Sequence, residues 1–244
     1  VNAELALLAL AVLVIAFLYA SVGHAGASGY IAVMSLAGLA PEVIKPTALL
    51  LNILVATLAT LQFSRAGHFS WSLFWPFALL SVPLAFVGGY LALPTRIFQI
   101  LVGVVLLFSA ARFVLRPPAD ETGTPPSRPV AIAIGGALGL LAGLTGTGGG
   151  IFLTPLMLFL RFARTKTASA VSALFILVNS LAGLAGNFSS TQSLPPLSLV
   201  LAGAALAGGA VGSQLGSRHL SPVWIKRMLA VVLAIAGTKL VLSR

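Results

Sequence analysis

Apolar residues fall in long runs along this chain, separated by short polar or basic interruptions. The runs at 3–21, 46–63, 70–92, 95–115, 130–144, 167–187, 196–216 and 222–242 mostly approach the ~20 residues a helix needs to cross a hydrocarbon core. They predict an all-α, polytopic integral membrane protein. The longest interruption, RPPADETGTPPSRP at 116–129, is too short and proline-rich to fold alone and reads as a linker. The expected organisation is a first transmembrane unit at 1–116, a linker at 117–129 and a second unit at 130–244.

The first run, VNAELALLALAVLVIAFLYA, has no basic leading segment and carries Glu4. It is also too long for the apolar part of a signal peptide, so it reads as a retained helix. Composition agrees with the runs: 59% hydrophobic and 7% charged residues place the chain far outside the soluble globular range. The absence of cysteine excludes disulfides and thiolate chemistry. A net charge of +10 could suggest nucleic acid, but the basic residues stand singly in short loops rather than in one stripe. Control of membrane orientation explains them better, and no nucleic-acid partner is expected.

The chain also repeats itself. SVGHAGASGYIAVMSLAGL at 21–39 and KPTALLLNILVATLATLQF at 45–63 are mirrored by GLTGTGGGIFLTPLMLFL at 143–160 and KTASAVSALFILVNSLAGLAGN at 166–187. After Gly29 and after Gly150 only about 11 helical residues, roughly 17 Å, precede the next loop, too short to cross the core. Each short piece is either part of one broken span or the returning arm of a re-entrant hairpin. With hairpins, Arg65, Arg112, Arg116, Arg128, Arg161, Arg164, Lys166, Arg218, Lys226 and Arg227 fall on one side, leaving Lys45, Arg96 and Arg244 opposite. With broken spans that asymmetry fades. The expected architecture is therefore two inverted repeats, each a glycine-tipped hairpin plus three transmembrane helices. Both termini and the uncharged stretch NFSSTQSLPP at 187–196 are expected outside.

GLTGTGGGIFLTP at 143–155 cannot hold a regular helix. Irregular backbone at membrane depth survives only where it is buried in protein or lines a polar cavity. Gly146, Gly148, Gly149 and Gly150 permit a sharp turn and a close approach, and the helix that follows aims free N–H groups into the gap. In the first half the corresponding tip holds Gly23, His24, Gly26, Ser28 and Gly29. Two opposed helix starts, with the hydroxyls of Ser28, Thr145 and Thr147, describe an anion site built chiefly from backbone. Simple helix packing is the competing account of these glycines, but packing motifs keep four-residue spacing and these clusters do not. Gly135, Gly139 and Gly143, and Gly208, Gly212 and Gly216, do keep it and are assigned to packing.

The acids Glu4, Glu42, Asp120 and Glu121 all avoid the middle of a span, which disfavours a cation transporter. His24, the ionisable side chain in a tip, either pairs with an anion or is a neutral ring satisfied by backbone. Asn52, Ser172 and Asn179 lie in the helices after the hairpins and either donate to substrate or clamp neighbouring helices. Two other patterns are weak. GASG at 26–29 matches an intramembrane serine protease motif, but His68 and His219 lie in loops and His24 is only four residues from Ser28. GTGGG lacks the preceding strand and following Gly-Lys-Ser/Thr of a nucleotide loop.

The paired pattern resembles the TauE/SafE sulfite exporter family, the TSUP superfamily, over nearly the whole chain. The resemblance rests on GLTGTGGGIFLTPLMLFL, TASAVSALFILVNSLAGL and the weaker first copy ending TALLLNILVATLATLQF, where His24 and Ala25 depart from the family pattern. It implies a multi-pass exporter in the cell inner or plasma membrane that moves sulfite or a related organosulfonate. It implies no enzyme activity and no cofactor. The expected partners are the bilayer and the anion, with a homodimer left open. An anion channel with the same site is the alternative.

Overall fold

The computed structural model describes residues 3–91, 96–115, 120–191 and 195–242. Residues 116–119 of the linker, residues 192–194 of the uncharged stretch, and Arg244 lie outside these. The described elements are α1 (Ala3–Ser21), α2 (Ala27–Leu36), α3 (Pro41–Arg65), α4 (Trp71–Tyr90), α5 (Arg96–Leu115), α6 (Arg128–Thr145), α7 (Gly150–Phe159), α8 (Thr165–Thr191), α9 (Leu197–Gln214) and α10 (Pro222–Leu242). A single π-helical turn, Leu215–His219, follows α9. Among the described residues, six helices are long and apolar enough to span a membrane: α1, α3, α4, α6, α8, and α9 with its π turn.

Two helices extend past the apolar runs that signal them. α3 starts at Pro41, where a missing N–H costs nothing in a first turn, so Lys45 stands inside the helix. α8 continues through Asn187 to Thr191, into the stretch expected as loop. There the Ser189 hydroxyl donates to the carbonyl of Ala185 (2.8 Å), so this polar residue is satisfied within the helix.

Glycine ladders set the closest helix pairs. A Cβ on Gly135, Gly139 or Gly143 would strike the carbonyls of Phe77, Ser81 and Ala85, so α6 runs along α4 in the same direction. Gly208, Gly212 and Gly216 meet Leu13, Phe17 and Ser21 in the same way, so α9 runs along α1. The small-residue spacing read from the sequence is thus a register of backbone contact. α3 lies parallel to α9, with Thr47 on Ser198 and Val55 on Gly209. It lies antiparallel to α8, with Asn52 on Ser180 and Leu49 on Gly183.

The most extensive helix pairings survive exchange of the two halves. If α1–α5 are swapped for α6–α10, the α4–α6 pair becomes α9–α1, α4–α8 becomes α9–α3, and α2–α3 becomes α7–α8. The pairs α3–α8 and α5–α10 map onto themselves. Each short helix has its own apolar sheath. Leu153 and Met157 of α7 pack with Phe175 in one buried cluster, and Tyr30 and Met34 of α2 pack with Leu51 in the other.

The described part of the linker is tied down. Asp120 Oδ1 accepts from the amide of Thr165 (2.7 Å) and from its hydroxyl, closing the start of α8. Lys226 of α10 lies 4.0 Å from the same carboxylate, and Gly123 N donates to Arg161 O.

Candidate functional site

Helices α1 and α6 each end in a buried turn that needs glycine. Gly23 and Gly26 hold φ values of 77° and 103°, and Gly146, Gly148 and Gly149 hold 72°, 75° and 79°. The first turn is closed by His24 N donating to Tyr19 O (2.9 Å), the second by Gly146 N donating to Ala142 O (2.9 Å). Neighbours also forbid side chains. A Cβ on Gly148 would lie 2.8 Å from the Ser180 hydroxyl and 3.0 Å from the Asn52 amide nitrogen. On Gly23 it would lie 2.5 Å from Ser169 O.

The two turns meet. His24 Nε2 lies 3.0 Å from Gly150 O at the start of α7, and Nδ1 lies 3.3 Å from Val22 O. Both ring nitrogens therefore face acceptors, whereas a neutral imidazole donates through only one. The shorter contact joins the first turn to the second. Asn52 makes the other junction: its Oδ1 accepts from Ala27 N (3.0 Å), and its Nδ2 donates to Thr147 O (3.3 Å) and Ser180 Oγ (3.3 Å). One amide thus ties the start of α2 to the turn before α7. Since Ala27 N–H must meet an oxygen, it also fixes which way the amide points.

Other expected residues pair their polar groups with nearby protein, except for Asn179 Nδ2, which is buried with no partner among the described residues. The Ser28 hydroxyl pairs with Tyr19 OH (2.9 Å), and no histidine reaches it, so the serine-protease arrangement is not formed. Thr145 Oγ1 donates to Leu141 O and lies 2.8 Å from Thr147 Oγ1. Ser172 accepts from Thr154 Oγ1 (2.7 Å), and Asn179 Oδ1 accepts from Ser81 Oγ (2.6 Å). Gly26 and Gly29 pack on Tyr30 and Ile15, Gly149 on Phe175, and Gly150 on Ile176. The start of α7 carries no side-chain cap.

Several neighbours of the turns carried no signal in the sequence. Ser180 and Thr154 are ordinary small polar residues until folding sets them against Asn52 and Ser172. Ser169 is fully buried against Gly23, and its hydroxyl has no partner among the described residues. Lys45 reaches the second turn, where a Cβ on Gly146 would lie 3.2 Å from its Cγ.

Comparison with known proteins gives the same picture at the level of family. The model of the family "Sulfite exporter TauE/SafE" matches residues 8–240. The chain is 42% identical over 241 residues to the probable membrane transporter protein y4hK of Sinorhizobium fredii, covering 96% of each chain. It is 27% identical over 225 residues to the probable membrane transporter protein YunE of Bacillus subtilis, covering 82% of this chain and 81% of the other. No solved structure matches. Spanning helices, doubled buried glycine turns and a family match over nearly its full length assign this multi-pass chain to the sulfite exporter TauE/SafE family of membrane transporters.

Proposed function

We propose that the protein exports a small sulfur-containing oxyanion, sulfite or an organosulfonate, by alternating exposure of a site between its two glycine turns. The observation that carries this reading is the meeting of two buried turns through His24–Gly150 and through Asn52. Both turns open helices whose first N–H groups carry partial positive charge. That suits an anion. We assign to this site the side chains of His24, Ser28, Asn52, Thr145, Thr147, Ser172 and Asn179 and the backbone at Gly23, Gly26, Gly29, Gly146, Gly148, Gly149 and Gly150.

The helix directions support inverted repeats with re-entrant hairpins. α1 runs with α3 and α9, whereas α6 runs with α4 and α8, which are opposite to α3. Both α1 and α3 then begin at one face, so α2 must return there; α6 and α8 begin at the other, so α7 must return to that one. Glu4 and Glu42 stand near helix starts and Asp120 and Glu121 in the linker, leaving no mid-span carboxylate for a coupling cation. Export needs none. With the interior negative, each negative charge gains about 2.3 kcal/mol per 100 mV on leaving.

The test is uptake into proteoliposomes of sulfite, sulfate, thiosulfate and a sulfonate in parallel, under imposed voltage and pH gradients. Saturable flux with counterflow is expected for at least one sulfur anion. Flux of none of them would overturn the reading. Flux that neither saturates nor shows counterflow would make the protein a channel.

A further inference from the structure

A lysine stands near the start of the long helix after each hairpin, and the two make matching contacts. Lys45 Nζ of α3 donates to Gly89 O at the end of α4 (3.2 Å), and Lys166 Nζ of α8 donates to Ser217 O in the π turn ending α9 (3.2 Å). Each acceptor lies beside the last turns of a hairpin's long arm: Gly143 of α6 packs on Gly89, and Gly216 packs on Ser21 of α1. Because α3 and α8 are antiparallel, the two ammonium groups lie toward opposite faces of the bundle.

Orientation of the helices requires basic residues in loops, not lysines held inside helices with their ammonium groups on carbonyls at the ends of neighbouring spans. Capping a helix end accounts for one N–H of each lysine, whereas an ammonium has three. Lys45 lies against Gly146 of the second turn. Three residues beyond Lys166, on the same face of α8, Ser169 packs its backbone and Cβ against Gly23 of the first turn, and its buried hydroxyl has no partner among the described residues. His68 Nε2 also approaches Ser217 O (3.2 Å), so a second N–H group faces the same point.

We infer that Lys45 and Lys166 are the outer stations of the anion path, one toward each face, and that Ser169 takes the anion inward from Lys166. This rests on the transport reading above. An anion arriving from either face meets a fixed ammonium before it meets the backbone of the turns. The two lysines thereby supply the full charges that the glycine turns lack.

The experiment compares wild type with K45Q, K166Q, K45R, K166R and S169A in proteoliposomes of known sidedness, using sulfite and the best sulfonate. Glutamine keeps a donor for the carbonyl and removes the charge. K166Q is expected to raise half-saturation about tenfold from the Lys166 face only, and K45Q from the other face only. Arginine at either position restores it. S169A raises half-saturation from the Lys166 face without changing its salt dependence, whereas added salt weakens wild-type uptake and leaves each glutamine variant less responsive on its own face. Folded K45Q and K166Q with wild-type half-saturation from both faces would overturn the inference while leaving transport itself intact. If either variant fails to fold, wild-type salt dependence decides, and uptake indifferent to salt at both faces overturns it. Failure of wild type to move any sulfur anion would instead remove the transport reading and this inference with it.

Discussion

Replacing Asn52 by leucine isolates the junction between the two glycine turns. Asn52 is fully buried, and leucine fills a similar volume while donating and accepting nothing. Ala27 N–H, now buried at a helix start without its acceptor, costs about 1–3 kcal/mol. The two bonds from Nδ2, both 3.3 Å, add roughly 0.6 kcal/mol each, the typical value inside membrane bundles. The total of about 2–4 kcal/mol corresponds to a fall of some 5–15 °C in unfolding temperature for a chain this long. Thermal unfolding in detergent, followed by tryptophan fluorescence, measures it, and proteoliposome uptake reads the function. N52D provides the second arm. It keeps an acceptor for Ala27 N–H but sets an oxygen against Thr147 O, so it also falls below wild type. An N52L protein that melts within about 1 °C of wild type and transports normally would show that Asn52 neither clamps the turns nor serves the site.

The glycine ladder gives a sharper contrast. A Cβ on Gly139 would meet Ser81 O and lie 2.5 Å from Ser81 Cα, so G139A should cost about 1–3 kcal/mol and reduce folded yield on size exclusion. Gly203 has open space around it, so G203A should be neutral or stabilise α9 by about 0.5–1 kcal/mol; equal effects at the two sites would refute the ladder. Asp120 lies outside the spans. Burial pushes its carboxyl up, but the Thr165 hydroxyl and amide, with Lys226 and Arg164, hold it below the ordinary value. Its stabilisation is therefore full above the unfolded value near ~4 and lost as pH falls through the lower folded value. Thermal melts from pH 7 to 3 should show an acid limb in wild type that is reduced in D120N, and superimposable limbs would contradict this. Removing the His24 ring in H24A should lower uptake and alter its pH profile, whereas an unchanged rate and profile would take His24 out of the mechanism.

How far the sequence revealed this molecule depends on what each residue contacts. Hydrophobic run length marked the helices because the bilayer fixes the length of a span, and the four-residue spacing of Gly135, Gly139 and Gly143 marked a contact face because helical geometry fixes it. The turns were legible because only glycine adopts φ near +75° without strain, and Gly23, Gly146 and Gly148 all do. The partners of the turns were not. Asn52 reaches Ser180 and Thr147 across 128 and 95 residues, and nothing local to Ser180 announces such a contact. Lys45 and Lys166 read as orientation charges because sequence gives a lysine's side of the membrane but not the carbonyl its ammonium meets. The helical extension of α8 to Thr191 escaped for a related reason, since Ser189 satisfies itself on Ala185 and does not break the helix.

Glycine serves two opposite purposes here, and the difference bears on which parts can move. Along α6 and α9 it lets backbones meet at several successive turns, so α1–α9 and α4–α6 are each joined along much of their length. The short helices α2 and α7 are held instead by side-chain packing in the two apolar core clusters and by single polar links such as Tyr19–Ser28, Ala27–Asn52 and Thr154–Ser172. Segments with fewer binding contacts open at lower free-energy cost. The links between the two turns, moreover, rest on side-chain N–H groups: the Asn52 amide gives to Thr147 O, and the His24 ring meets Gly150 O and Val22 O. On the proposed transport reading, an anion entering the gap would accept from those same groups in place of the carbonyls. Binding and holding the two turns together would then compete for one set of hydrogens. Substrate would thereby loosen the joint whose opening exposes it, and N52L, having no donor to surrender, should lose that response as well as its stability.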